Sequence, residues 1–116
     1  MLNTIIVIGN LGKDPETRTT SGGTAITTLR VATSRKYKGE EKTTWFSVDV
    51  FGKQGELAAQ YLKKGRQVCV EGRVEIDEYT DKEGIKRTFT KIVANNVQFL
   101  GGGPKDGNEG QEEIGF

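Results

Sequence analysis

Histidine is absent from this sequence of 116 residues, and cysteine occurs once, at Cys69. The first absence removes the commonest general base and metal ligand, and with them every Ser-His or Cys-His nucleophile pair. The second excludes an internal disulfide and a cysteine-cluster zinc site, and fits a reducing compartment. Cys69 itself reads as a small buried residue of a strand. Long apolar runs are also missing: the longest spans Ile5 to Ile8, far short of the roughly 20 residues that cross a bilayer. Met1 to Thr4 has neither the basic segment nor the apolar stretch of a secretory signal. The expectation is therefore a cytoplasmic protein with no membrane association, no cofactor and no enzymatic activity.

What is present is a small, turn-rich chain with 16 glycines, 34% hydrophobic and 28% charged residues, a mixture that favours a β-rich domain over a helical bundle. The near-neutral net charge of +1 conceals an asymmetry. Residues 101–116 carry one lysine against four carboxylates, net −3, which leaves +4 on residues 1–100. A basic body with an acidic tail suits a protein that touches nucleic acid and recruits partners. The two segments read as one folded domain, 1–100, and a disordered tail, 101–116, that opens Gly101-Gly102-Gly103-Pro104 and has little to bury.

Hydrophobic periodicity gives the elements. Ile5-Ile6-Val7-Ile8 is a short β-branched strand ended by Gly9-Asn10, and a turn-rich stretch follows to Gly23. Ala25 to Thr33 is a second strand, and Lys36 to Lys42 reads as an exposed hairpin loop. Thr44 to Phe51 alternates with Phe46, Val48 and Val50 on one face. Trp45, Ser47, Asp49 and Phe51 lie on the other, so two large aromatics stand opposite the core stripe. Leu57, Ala58, Tyr61 and Leu62 have helical spacing within Gly55 to Lys64, with Gly65 as the expected C-terminal cap. Gln67 to Tyr79 alternates again, with Val68, Val70, Val74 and Ile76 on one face and a bulge signal at Gly72. Thr80 to Gly84 is a turn, and a last strand runs from about Lys86 to Leu100. Three strands, one helix between strands 3 and 4, and two further strands predict an all-β, five-stranded oligonucleotide-binding (OB) Greek-key barrel, a fold that binds oligonucleotides and oligosaccharides.

Aromatics interleaved with cations suit single-strand binding, because every base offers a π-face and every nucleotide a phosphate. The candidate stacking residues are Trp45, Phe51, Tyr37 and Tyr79, with Arg35, Lys36, Lys53, Lys64, Arg73, Lys86 and Arg87 as candidate phosphate contacts. Gly9 and Gly12 before Lys13 do not make a phosphate loop, which needs four residues between its glycines and Ser or Thr after the lysine. The acidic group Glu75, Asp77, Glu78, Asp81 and Glu83 reads as a solvated strand end, not a metal site. In the tail, Glu112 and Glu113 precede Ile114, Gly115 and Phe116, so a partner with an apolar pocket and a basic rim would find both of its ligands there.

These residues resemble the bacterial single-stranded DNA-binding protein family over positions 3 to 100. The similarity is carried by Val7-Ile8-Gly9-Asn10-Leu11-Gly12-Lys13-Asp14-Pro15-Glu16 and Phe51-Gly52-Lys53. Ala32-Thr33-Ser34, Trp45, Tyr61-Leu62-Lys63-Lys64-Gly65 and Val70-Glu71-Gly72 support it. The resemblance implies sequence-independent binding and protection of single-stranded DNA in replication, recombination and repair. It also implies a homo-oligomer, usually a tetramer. It places the family's stacking positions on Tyr37, Trp45, Phe51 and Tyr79, adds Tyr61 as a DNA contact alongside Lys53 and Lys64, and makes the tail tip a recruiter of replication and repair proteins. The sequence departs from the family at Glu75, Asp77 and Glu78, where some relatives are basic, at Phe46, often His, and at Gly115, usually Pro. Two other readings are a primosomal or phage replication accessory protein on the same barrel, and a small nuclease using Asp77, Asp81 and Glu83.

Overall fold

A computed structural model of the protein describes residues 1–100; the tail positions Glu112, Glu113, Ile114, Gly115 and Phe116 lie outside the described residues. Six strands and one helix follow in the order β1 (Ile5–Leu11), β2 (Glu16–Thr19), β3 (Ala25–Tyr37), β4 (Glu40–Phe51), α1 (Gly52–Tyr61), β5 (Gln67–Thr80) and β6 (Lys86–Phe99). The strands form one sheet, β1-β5-β6-β4-β3-β2. It closes on itself where the end of β1 pairs with β3 at Asn10–Ala32 and Leu11–Val31. The closed part is the expected five-stranded barrel of β1, β3, β4, β6 and β5.

β2 is the addition. It pairs Glu16–Thr28 through Thr19–Ala25 along the start of β3, beyond the reach of β1. All four of its residues are exposed and none is apolar, so its sequence has no periodicity to announce it. The backbone edge of β3 calls it into being, with Thr17 and Arg18 bonding to the Thr27 and Thr28 hydroxyls across it, and a short charged strand is a safe way to end such an edge.

The interior is built from the alternating positions of each strand. Val7, Leu11, Leu29, Val31, Val48, Val50, Val68, Val70, Ile92 and Val97 meet inside, with Ala58 and Leu62 of the helix region joining them. Each such side chain contributes about 1.5–3 kcal/mol by leaving water, which is what makes strand register unambiguous here. The helix is anchored by the buried Thr27 hydroxyl, which donates to the Gly55 carbonyl at 2.8 Å.

Three expectations shift. The helix begins at Gly52 and ends at Tyr61, because Leu62 turns to extended backbone and drops into the core. Gly65 is thus not the helix cap; it takes a positive φ in the turn that follows and donates to the Leu11 carbonyl. Most of the expected Lys36–Lys42 loop is strand. Finally, Cys69 lies on β5 but is only half-buried, since it faces outward across from Ile8. The bulge expected at Gly72 is present, as a register shift between Glu71 and Gly72.

Candidate nucleic-acid interface

Two hairpins extend past the barrel wall. In the first, β3 and β4 pair without interruption from Ile26–Phe51 to Tyr37–Glu40, leaving only Lys38 and Gly39 to make the turn. Both have positive φ, 53° and 81°, the type I′ geometry whose twist matches that of a hairpin. In the second, β5 and β6 pair out to Thr80–Lys86. Asp81 organises its turn: the carboxylate accepts from the Glu83 and Ile85 amides at 2.9 Å and from Arg87 Nε at 2.7 Å. These donors, Arg87 foremost, hold the Asp81 carboxyl below its ordinary value of 3.8.

The two arms diverge because β4 and β6 are paired, in parallel, only at Val48–Ile92 and Asp49–Val93. Between them opens a largely apolar cleft of about 170 Å³ lined by Ile5, Trp45, Phe46, Val74 and Ile92 among others. On the outward side, register puts Trp45, Ser47, Asp49 and Phe51 of β4 on one surface with Arg30, Ala32 and Lys36 of β3. The same surface continues onto β6 and β5 with Arg87, Phe89 and Lys91 opposite Tyr79, Asp77 and Glu75.

Asp49 ties this surface together. It is 5% exposed, accepts a hydrogen bond from the Thr28 hydroxyl at 3.0 Å, and pairs with Arg18 at 3.7 Å and Lys91 at 3.5 Å. Two cations around one buried carboxylate compensate the desolvation that an isolated carboxylate could not bear. Lys91 also reaches Asp77, at 3.6 Å.

Trp45 is held in place. The Arg30 guanidinium stands 5.7 Å from its ring centroid, a cation–π contact. The indole lies against Gly12, where an added Cβ would run into the ring. Neither Arg30 nor Lys91 is among the residues that the sequence marks as site candidates. Gly12 enters only through the contrast with a phosphate loop and through the family pattern, because nothing local says that it meets a residue 33 positions along.

The expected site residues divide by position. Trp45, Phe51, Tyr79, Lys36, Arg73 and Arg87 share the outward surface, and Lys53 follows Phe51 by two residues at the start of the helix. Tyr37 and Arg35 fall on the opposite face of the first arm from Trp45, and Lys86 on the opposite face of the second arm from Tyr79. Tyr61 ends the helix, about 12 Å from Lys53 by helix rise, and Lys64 follows it in the turn beyond. There Tyr61 packs at a tilt on Phe99, ring centroids 6.5 Å apart, and the Lys64 amide donates to Asp14. The aromatics Tyr37, Trp45, Phe51, Tyr61, Tyr79 and Phe89 are all 45–59% exposed. Among the described residues no cluster of acidic or sulfur side chains is arranged to hold a metal, and no helix is long and apolar enough to cross a membrane.

The model of the single-strand binding protein family matches residues 2–100. A single-stranded DNA-binding protein of Xanthomonas campestris pv. campestris is 46% identical over 106 residues, which cover 87% of this chain and 62% of that protein. One from Xylella fastidiosa is 44% identical over 114 residues, covering 94% and 70%. One from Neisseria meningitidis serogroup A is 40% identical over 120 residues, covering 99% and 69%. The chain thus spans about three-fifths of the length of its Xanthomonas relatives. With a family model matched from the first strand to the last, and a barrel whose outward surface carries Trp45, Phe51 and Tyr79, this chain belongs to the single-strand binding protein family.

Proposed function

We propose that the protein binds single-stranded DNA without reading its sequence and without catalysis. Bases stack on Trp45, Phe51 and Tyr79, and phosphates meet Arg30, Lys36 and Lys53. The observation that carries this reading is the single outward surface on which three half-exposed aromatics and a run of cations stand together. Stacking is worth about 1–3 kcal/mol per base, enough for a few rings to dominate affinity. Tyr37 and Arg35, on the reverse of the first arm, serve a strand that wraps over the arm's edge; Tyr61 and Lys64 extend the path past the helix; Lys86 serves the tip of the second arm.

The test is a titration of labelled oligo-dT at several salt concentrations, with duplex of equal length as competitor, while Trp45 fluorescence is followed. Strong quenching and a preference for the single strand are expected. Absence of both would give the aromatic surface another purpose and end this reading.

We further propose that the chain works in the bacterial cytoplasm, in DNA replication, recombination and repair, as a homotetramer. Self-association is supported by β1, whose outward Ile6 and Ile8 are exposed. The segment Glu112-Glu113-Ile114-Gly115-Phe116 is proposed to recruit replication and repair proteins, on the strength of its acidic and apolar residues.

A further inference from the structure

Phe89 has no part in the stacking path of Trp45, Phe51 and Tyr79, yet it stands in the middle of their surface. Register sets it opposite Asp77 and diagonal to Tyr79 on β5, where long side chains reach one another at about 7–8 Å. Two residues further along β6 is Lys91, whose ammonium bridges to Asp77 of β5 and to Asp49 of β4 at 3.6 and 3.5 Å. Those bridges make the outward faces of the three strands one continuous surface. Phe89 therefore lies between Trp45 and Phe51 on the barrel side and Tyr79 on the arm.

Its surroundings argue against a packing role. The positions beside it on this face, Asp77, Arg87 and Lys91, are all charged, and the ring is 45% exposed, as much as Phe51. Among the described residues the only ring paired with another ring is Tyr61 with Phe99, so no aromatic neighbour packs on the half-exposed Phe89. An apolar ring among charges on an open strand gains little from its neighbours. It offers a half-exposed ring on the same surface as the other stackers.

We propose that Phe89 is a further base-stacking residue, linking the barrel aromatics to Tyr79 along one path for the single strand. This rests on the single-strand reading under Proposed function. The cations nearest Phe89 are already held by carboxylates, Arg87 by Asp81 and Lys91 by Asp49 and Asp77. The contribution of Phe89 is thus stacking with no release of counterions, and removing it weakens binding equally at every salt concentration.

The experiment compares Phe89→Ala, Phe89→Leu and Phe89→Trp with Trp45→Ala in oligo-dT titrations across a salt series, with sedimentation of each variant free of DNA. Alanine and leucine are expected to weaken binding by about tenfold with an unchanged log–log salt slope, and tryptophan to restore it. Leucine binding as well as phenylalanine would reduce the role to apolar packing and overturn the proposal, as would a slope that changes with alanine. A shift in oligomeric state without DNA would assign Phe89 to a contact between copies instead. Should Trp45→Ala lose affinity while the Phe89 variants do not, this inference alone falls. Should neither lose it, the single-strand reading falls with it.

Discussion

The two arms of the barrel have equal numbers of cations and opposite electrostatic characters. Residues 30–45, in the β3–β4 arm, hold five lysines and arginines against two glutamates; residues 73–91, in the β5–β6 arm, hold five against five carboxylates. Geometry widens the difference. Arg73 pairs with Glu75 at 2.9 Å, Arg87 with Asp81 at 2.7 Å, and Lys91 with Asp49 and Asp77. Among the described residues, Arg30, Arg35, Lys36, Lys38 and Lys42 have no carboxylate within ion-pair distance. Exposed pairs add only about 0–1 kcal/mol each to stability, so the consequence lies in binding. A cation that already has a carboxylate must lose it before taking a phosphate. On the single-strand reading proposed above, the first arm would attract the backbone and the second would hold bases by their faces. Counting basic residues along a sequence cannot reveal this, because what matters is which of them are spoken for.

The largest effect is expected where the barrel fixes an aromatic at the root of the first arm. Gly12→Ala inserts a methyl group into the space of the Trp45 indole. The ring has to move away from Gly12, and single-strand affinity should fall by about tenfold, the equivalent of one base stack. Trp45→Ala should remove the sensitivity: adding Gly12→Ala to it should cost nothing further. Additive losses in that double-mutant cycle would mean that Gly12 acts through the β1 backbone and not through the indole.

A smaller, opposite effect is expected on the second arm. Glu75→Gln frees Arg73, and Asp77→Asn removes one of the two carboxylates on Lys91. The double variant should bind oligo-dT more tightly, by about threefold at low salt, and its log–log salt slope should steepen by up to about 0.7 for each additional phosphate that the freed cations engage. The same titration on Lys36→Gln should make the slope shallower. If the acidic substitutions leave slope and affinity untouched, the self-neutralised arm does not lie on the path of the strand and the contrast between the arms has no bearing on binding.

Much of this surface is legible from period two alone. The alternation in Thr44–Phe51 separates Trp45 and Phe51 from Val48 and Val50, and the structure keeps that separation. Asp49 breaks the simple rule of a polar outer face, since it is buried there by Arg18 and Lys91, residues 31 and 42 positions away. Tyr37 and Trp45 read alike in the sequence because both are aromatics of one hairpin. Their faces depend on register parity, which is hidden by a turn of Lys38 and Gly39 that lacks the usual Asn-Gly or Asp-Gly pair. β2 and the Gly12 contact are out of reach for a shared reason: each is defined by a partner in another strand and not by its own residues.

The smallest effect concerns the tip of the second arm and its response to pH. Asp81 accepts two backbone amides and Arg87, and its carboxyl is held below 3.8, mainly by Arg87 and then by the Ile85 amide. A group whose pKa is lower in the folded state stabilises that state fully above its unfolded value and ceases to do so as pH falls through the folded one. The turn should therefore be tight at neutral pH and should loosen only below about pH 4, as the carboxylate is protonated and releases its three donors. Amide resonances of Glu83 and Ile85 should shift together in that window while Gly39, at the tip of the other arm, stays still. Because the side chain is solvent-exposed, the change should be local and leave the barrel intact. Asp81→Asn should abolish the titration of both amides. If the two amides keep their pH response in that variant, they report another carboxylate of the arm, and the turn, held by the backbone bonds Asp81 N–H to Ile85 and Gly84 N–H to Asp81, does not depend on the Asp81 charge.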